Sequence, residues 1–186
     1  MFSEADLRQL EPLHRLLLAE ARRGHFEPRL KGPVQAKRMR RNLEAILREG
    51  RRTDEPLRAQ LLAWRRGERV AGWLVNSEIL PGAGNELWLV LVRPELRGQG
   101  EGGRMLDAAL EALSGVDVYV RCYPASAAML RLLQSRGFVV LNENADGTRE
   151  LKRPADPAAP LWSAPNRQRL KRFVAIGSGP ARSGPG

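Results

Sequence analysis

The chain has 186 residues, 42% of them apolar, a formal net charge of +10, a single cysteine and two histidines. That length bounds one domain, with or without a tail, and one cysteine excludes both an intramolecular disulfide framework and a cysteine-based metal site. No apolar run reaches the roughly 18 residues of a membrane span, and the acid-bearing start MFSEADLRQL lacks the apolar core of a signal peptide, so a cytoplasmic protein with no membrane partner and no metal is expected.

Leu7, Leu10, Leu13, Leu17 and Ala21 fall at helical spacing and predict a helix over 7–23. Ser3 with Asp6 resembles a capping box ahead of it, and Gly24 follows as a C-cap. A second helix is predicted over 34–48, ended by Gly50, with Met39, Leu43, Ile46 and Leu47 inward. Its outer face is basic, with Lys37, Arg38, Arg40 and Arg41. The pattern then changes, and 61–64 and 70–75 flank a turn at Arg66-Gly67-Glu68 and read as a hairpin. After the loop LPGAGN, the segment ELWLVLV at 86–92 is nearly all apolar and is predicted as a central strand buried on both faces. A glycine loop follows, then a helix over 102–113, a strand over 116–121 and a helix over 125–136 closed by Gly137. A hairpin, 138–141 with 148–152, is predicted across the turn NENADG. Pro, Ala, Gly and Arg dominate from 154 to 186, which predicts a disordered tail with one short amphipathic stretch, NRQRLKRFVAI. From Lys152 onward seven basic residues face only Asp156.

The stretch RPELRGQGEGGRML, 93–106, places four glycines within six residues between a buried strand and a helix. Glycine inside a helix costs about 1 kcal/mol against alanine, so that freedom needs an offset. The first amides of a helix have no internal partner, and together with the helix dipole they attract anions, phosphate above all. Glycine lets the backbone come close to a ligand and take positive φ, and Arg97 adds a positive charge at the mouth. The expected ligand is a phosphate or pyrophosphate. The Walker pattern is absent. GxGxxG is present at Gly98, Gly100 and Gly103, but it comes late in the chain and the next strand ends in VRCYP instead of an acid, which argues against a dinucleotide-binding unit.

VRPELRGQGEG resembles motif A, V-x-P-[ED]-x-[RQ]-G-x-G-x-[GA], of the GNAT superfamily, the acetyl-coenzyme A dependent N-acetyltransferases. SAAMLRLLQSRGF resembles that family's N-x-x-A-x-x-L-Y-x-x-x-G-F segment. The resemblance covers about 7–153 and implies an α+β fold in three layers: a mixed, mainly antiparallel central sheet flanked by helices, in a domain over 1–153. The usual first strand is missing or reduced to Met1-Phe2. Acetyl-coenzyme A is implied as co-substrate, attacked directly by a primary amine.

By the same resemblance the pantetheine arm lies along Val90, Leu91 and Val92, where a bulge opens the sheet and the Val90 amide polarises the thioester carbonyl. The pyrophosphate falls to amides of Arg97, Gly98, Gln99, Gly100, Glu101, Gly102 and Gly103, and Ser126, a helix cap, is a further cofactor contact. Glu86 matches a glutamate that serves some members as base. The usual acid tyrosine falls on Leu133, the usual asparagine on Ser126, and a glutamate of some members on Arg121. Tyr123 and Cys122 lie near the expected thiol, with Tyr123 as the catalytic candidate. Two readings follow, a working N-acetyltransferase or an acyl-coenzyme A sensor that has lost its chemistry. The acceptor pocket is expected among segments that carry His25, Phe26, Trp64, Trp73, Trp88 and many arginines. No acid cluster is visible, so a small-molecule or peptide amine bearing a carboxylate fits better than a polycation. The basic second helix and tail keep aminoacyl-tRNA open, with nucleic acid as a minor partner, and a homodimer is an open assembly.

Overall fold

The computed structural model describes residues 1–80 and 84–159. The predicted tail from 160 onward, with its amphipathic stretch, and 81–83 of the LPGAGN loop lie outside the described residues. Seven described strands form one sheet in the order β1-β2-β3-β4-β5-β7-β6. They are β1 Phe2–Glu4, β2 Ala59–Arg66, β3 Arg69–Leu80, β4 Gly84–Val92, β5 Val118–Cys122, β6 Val139–Glu143 and β7 Arg149–Arg153. Only β4 and β5 run parallel. Parallel neighbours need a long crossover, and α3 Glu101–Ala112 supplies it. α3 and α4 Ala127–Gln134 cover one face of the sheet, packing Met105, Leu106 and Leu133 on Leu62, Leu74 and Leu87. α1 Leu10–Arg22 and α2 Pro33–Glu49 cover the other, packing Leu13, Leu17 and Leu43 on Leu61, Leu89 and Leu91. This is the expected three-layer α+β arrangement.

The first strand is present. Phe2 stands opposite Trp64 on β2, their rings edge to face at 5.0 Å and 71°. Because Ser3 is held in that strand it cannot reach back to a helix, and its Oγ instead accepts from Arg65 Nε at 3.0 Å. The capping box therefore does not form. Asp6 alone caps, accepting the Arg8 N–H at 2.8 Å over a 3-10 turn at Leu7–Gln9, and α1 begins only at Leu10. The β2–β3 hairpin runs longer than its apolar pattern predicts. Asn76, Ser77 and Glu78 are buried in it, and Asn85 Nδ2 donates to Asn76 Oδ1 at 3.2 Å.

β4 departs from the prediction of burial on both faces. Leu87, Leu89 and Leu91 are buried, while Glu86, Trp88, Val90 and Val92 are only partly covered. A Cβ at Gly72 would run into the Leu91 carbonyl oxygen, so β3 and β4 meet closely because residue 72 has no side chain. Beyond β7 the chain remains tied down: Ala155 N–H donates to Asp117 Oδ1 at 2.9 Å and Asp156 N–H to the Ser114 carbonyl at 2.8 Å.

Candidate active site

β4 and β5 pair only at Asn85 with Val118 and Glu86 with Tyr119, and then part. Val75 on β3 faces Leu89 and Asn76 faces Leu87, which leaves Trp88 as one extra residue in β4. A bulge of this kind bends its strand and breaks the local ladder. Past the bulge, Arg93 N–H bonds the Ala71 carbonyl at 2.9 Å. Backbone groups alternate sides along a strand, so those of Leu91 and Leu89 also face β3, and those of Val90 and Val92 face the opening. The Val92 carbonyl accepts the Arg97 Nε–H there at 3.1 Å. The result is a cleft of about 420 Å³ that runs from the glycine loop to Trp88 and Arg121.

At one end of the cleft Gly98 and Gly100 take φ of +73° and +78°. Gly100 stands at the N-cap of α3 and offers no side chain, so the first α3 amides are left open. A Cβ at Gly98 would meet nothing within 4 Å. At Gly102 it would touch Leu132 at 3.6 Å, and at Gly103 it would crowd Arg136 Nη2 at 3.0 Å, so these two glycines also let α4 pack close. The slot has the Val90 backbone and the Val92 N–H open along one wall and unpaired helix amides at one end, an arrangement that could hold the arm and pyrophosphate of coenzyme A.

Val90, Leu91, Val92, Arg97, Gly98, Gly100, Glu101, Gly102, Gly103 and Ser126 all line this cleft, whereas Gln99, Glu86 and Tyr123 do not. Several side chains do other work than expected. Glu101 is buried beneath α3, where its carboxylate accepts from Arg104 Nη2 at 2.7 Å and Trp64 Nε1 at 2.8 Å. The Arg104 and Trp64 hydrogen bonds hold its carboxyl below the usual range, and only its backbone amide is available to a ligand. Gln99 Oε1 accepts from Arg66 Nη1 at 2.8 Å on the loop's outer side. Arg97 is not a free charge at the mouth, because its Nη2 lies 3.2 Å from Oε1 of Glu20, a carboxylate 4% exposed. Ser126 sits at the N-cap of α4 yet makes no capping hydrogen bond. Its Oγ is 3.1 Å from His25 Nδ1 instead. Gly24 at φ +86° turns the chain back at the end of α1, and His25 N–H bonds the Glu20 carbonyl at 3.0 Å, which sets the ring beside Glu20. Cys122 is buried, its Sγ 3.7 Å from the Ser126 carbonyl, and burial pushes the thiol up to about 11.

Glu86, outside that lining, is 20% exposed, with Arg52 Nη1 3.8 Å from its carboxylate. Burial raises its carboxyl, against Arg121 and Arg52, which lower it. Arg52 stacks over Trp88 at 4.5 Å and holds Asp54 at 3.0 and 2.8 Å. Burial likewise raises the Tyr123 hydroxyl, with Arg121 acting against it. Leu133, where the resemblance puts a tyrosine, is 0% exposed in the core. Trp64 and Trp73 are core residues and not acceptor contacts; Trp73 Nε1 donates to Gln9 Oε1 at 3.0 Å. Sequence reading missed Glu20 and the His25–Ser126 contact, since no local pattern relates positions 20, 25, 97 and 126.

Among the described residues no group of three or more His, Cys, Asp or Glu is arranged to hold a metal ion, and no helix is long and apolar enough to cross a membrane. The model of the acetyltransferase (GNAT) family matches residues 15–138. No curated protein matches the chain. Among solved structures, the PaiA N-acetyltransferase of Thermoplasma acidophilum in complex with coenzyme A is 11% identical, with 83% of this chain and 98% of that one covered at a TM-score of 0.61. The ribosomal-protein-S18-alanine N-acetyltransferase of Escherichia coli is 16% identical, with 87% and 98% covered and a TM-score of 0.57. An acetyltransferase of Thermus thermophilus is 20% identical, with 83% and 96% covered and a TM-score of 0.58. At these identities the likeness is one of fold.

Proposed function

The chain belongs to the acetyltransferase (GNAT) family, and from that premise we propose that it moves an acetyl group from acetyl-coenzyme A to a primary amine by direct attack. It is an acetyltransferase, and acetyl-coenzyme A supplies the acetyl thioester. The observation that carries the reading is the backbone edge at Val90 and Val92, freed by the Trp88 bulge and running toward the open amides of α3. That edge holds the pantetheine arm, and the amides of 97–103 hold the pyrophosphate. The Val90 N–H meets the thioester carbonyl, where one such donor lowers the barrier by about 3 kcal/mol. Glu86 accepts the proton that the attacking ammonium must lose, directly or through a water, and burial makes it a stronger base than an ordinary carboxylate. Tyr123, beside Arg121 but off the cleft lining, is one candidate acid for the thiol end.

The acceptor enters at the Glu86 end. The Glu86 carboxylate favours its ammonium. Arg121, half exposed, suits a carboxylate beside that amine, as in an amino acid or the end of a peptide. Leu133 favours a second reading, in which the domain binds acyl-coenzyme A and does not turn it over. Calorimetric titration with acetyl-coenzyme A, followed by thiol release against a panel of amines, separates the two. Binding with turnover supports the enzyme; binding without turnover across the panel supports the sensor. No binding would overturn both.

A further inference from the structure

Arg97, Glu20, His25 and Ser126 come from the glycine loop, α1, the turn after α1 and the start of α4, and all four line the cleft. They form one line of polar contacts. Arg97 Nη2 is 3.2 Å from Glu20 Oε1, Glu20 Oε2 is 3.9 Å from His25 Nε2, and His25 Nδ1 is 3.1 Å from Ser126 Oγ. Past Glu86, which faces Tyr119, β4 and β5 part, and the cleft opens between them with Val90 on one strand and Cys122 on the other. Cys122 Sγ lies 3.7 Å from the Ser126 carbonyl, so Ser126 and His25 line the cleft on its β5 side.

We propose that His25 supplies, through the Ser126 hydroxyl, the proton taken by the sulfur that leaves the acetyl group, a task for which Leu133 offers no side chain. The inference rests on the acetyl-transfer reading above. As the C–S bond breaks and the sulfur keeps the electron pair, Ser126 Oγ–H gives its proton to that sulfur. The His25 imidazolium gives its Nδ1 proton to the Ser126 oxygen and is left neutral. Solvent recharges the ring between turnovers, and the amine, entering as its ammonium, sheds two protons: the first before attack, through Glu86 to solvent, and the second to Glu86 as the adduct collapses to the amide. Nothing is oxidised or reduced. Ser126 is the catalytic residue and His25 the positioning residue behind it. The hydroxyl has a rival contact, the His25 carbonyl, but at 3.5 Å it is long and leaves the hydroxyl free to turn into the cleft. Glu20 faces the ring, and Arg23, 2.7 Å from Glu20, and Arg97 share that carboxylate. Arg121 and the neutral Cys122 thiol are the ionisable groups lining the cleft on β5. Imidazole is suited to the task because its charge changes near neutral pH.

The test uses the full chain and the variants His25→Gln, which keeps a hydrogen-bonding group but cannot titrate, and Ser126→Ala. The chain has two histidines, so ring resonances are followed against pH in the free protein, with coenzyme A and with desulfo-coenzyme A, which lacks the sulfur. The expected result is that coenzyme A moves the His25 titration, desulfo-coenzyme A moves it less, and Ser126→Ala abolishes the difference. In turnover, kcat should fall on the alkaline side as His25 loses its proton. His25→Gln should lose that limb and about 100-fold in kcat, the low end for general acid catalysis, with KM for acetyl-coenzyme A little changed. If wild type binds coenzyme A but His25 titrates alike with both ligands, or if His25→Gln keeps the alkaline limb, the relay is overturned and acetyl transfer stands. Should His25→Gln not fold, the ring titration of Ser126→Ala decides. If wild type binds neither ligand, the functional reading fails and the relay with it.

Discussion

Burial raises the Glu86 carboxyl above its ordinary range, and Arg121 and Arg52 pull it part of the way back. As the proposed base it works only when ionised, so kcat should rise with pH through that raised value. Glu86→Gln should lose about 100-fold in kcat and the acid limb with it, as read by thiol release across the acid range. A carboxyl whose folded pKa is raised favours folding while protonated. That contribution is present below the ordinary carboxylate range and is lost as pH rises through the raised value. Glu86→Gln should therefore melt no earlier than wild type at neutral pH, which separates a rate loss from unfolding. Gly98 makes the contrasting case. Its φ of +73° costs any other residue about 1 kcal/mol, and a side chain there would enter the open space ahead of α3. Gly98→Ala should weaken coenzyme A binding about tenfold, or ~1.4 kcal/mol, by calorimetry. The role of Gly98 is legible from sequence because a glycine's φ is a local property. The electrostatic setting of Glu86 is not, because Arg52, Arg121, Glu55 and Glu150 reach it only through the fold.

At the scale of elements, α3 is fixed to the sheet by its own first residue. Glu101 joins Trp64 on β2 to Arg104 one turn on. Removing the carboxylate leaves the Trp64 N–H buried without a partner, at about 1–3 kcal/mol. Glu101→Ala should therefore lower the free energy of unfolding in denaturant by that amount, and Glu101→Gln, which keeps an acceptor, by less. Coenzyme A affinity should fall in the alanine variant, because the α3 amides lose their tie to β2. The sequence places Glu101 correctly at the mouth of a phosphate-binding loop but says nothing of its side chain, whose partner is 37 residues away. β4 divides the same way. Its apolar run marks a central strand, while the extra residue at Trp88 appears only once Val75 and Asn76 find their partners. The cleft exists because of that one unmatched residue.

At the scale of the molecule, the cleft draws its lining from residues 20–132, so a bound ligand should stabilise the whole domain. Coenzyme A at a hundredfold excess over Kd should add about 2.7 kcal/mol, roughly 5–10 °C in Tm for a chain of this size. A chain ending after Ala159 should show the same rise. One ending at 153 should melt earlier, because it loses the Ala155 and Asp156 hydrogen bonds to Asp117 and Ser114. An earlier melt in the 153 chain places the domain end beyond 153; a lost rise in the 159 chain would give the tail a part in binding.

The three-layer class comes from the family resemblance; the sequence by itself determines the order of the elements and the glycine loop with its anion-seeking helix end. These depend on periodicity, on φ and on unpaired amides, all settled by neighbours along the chain. The tertiary structure alone decides that the bulge falls at Trp88, that the carboxylates of Glu20 and Glu101 are buried, and that His25 approaches Ser126. Each of these depends on which faces meet across the sheet, and a shift of one residue in strand register would turn every side chain of that strand to the other side.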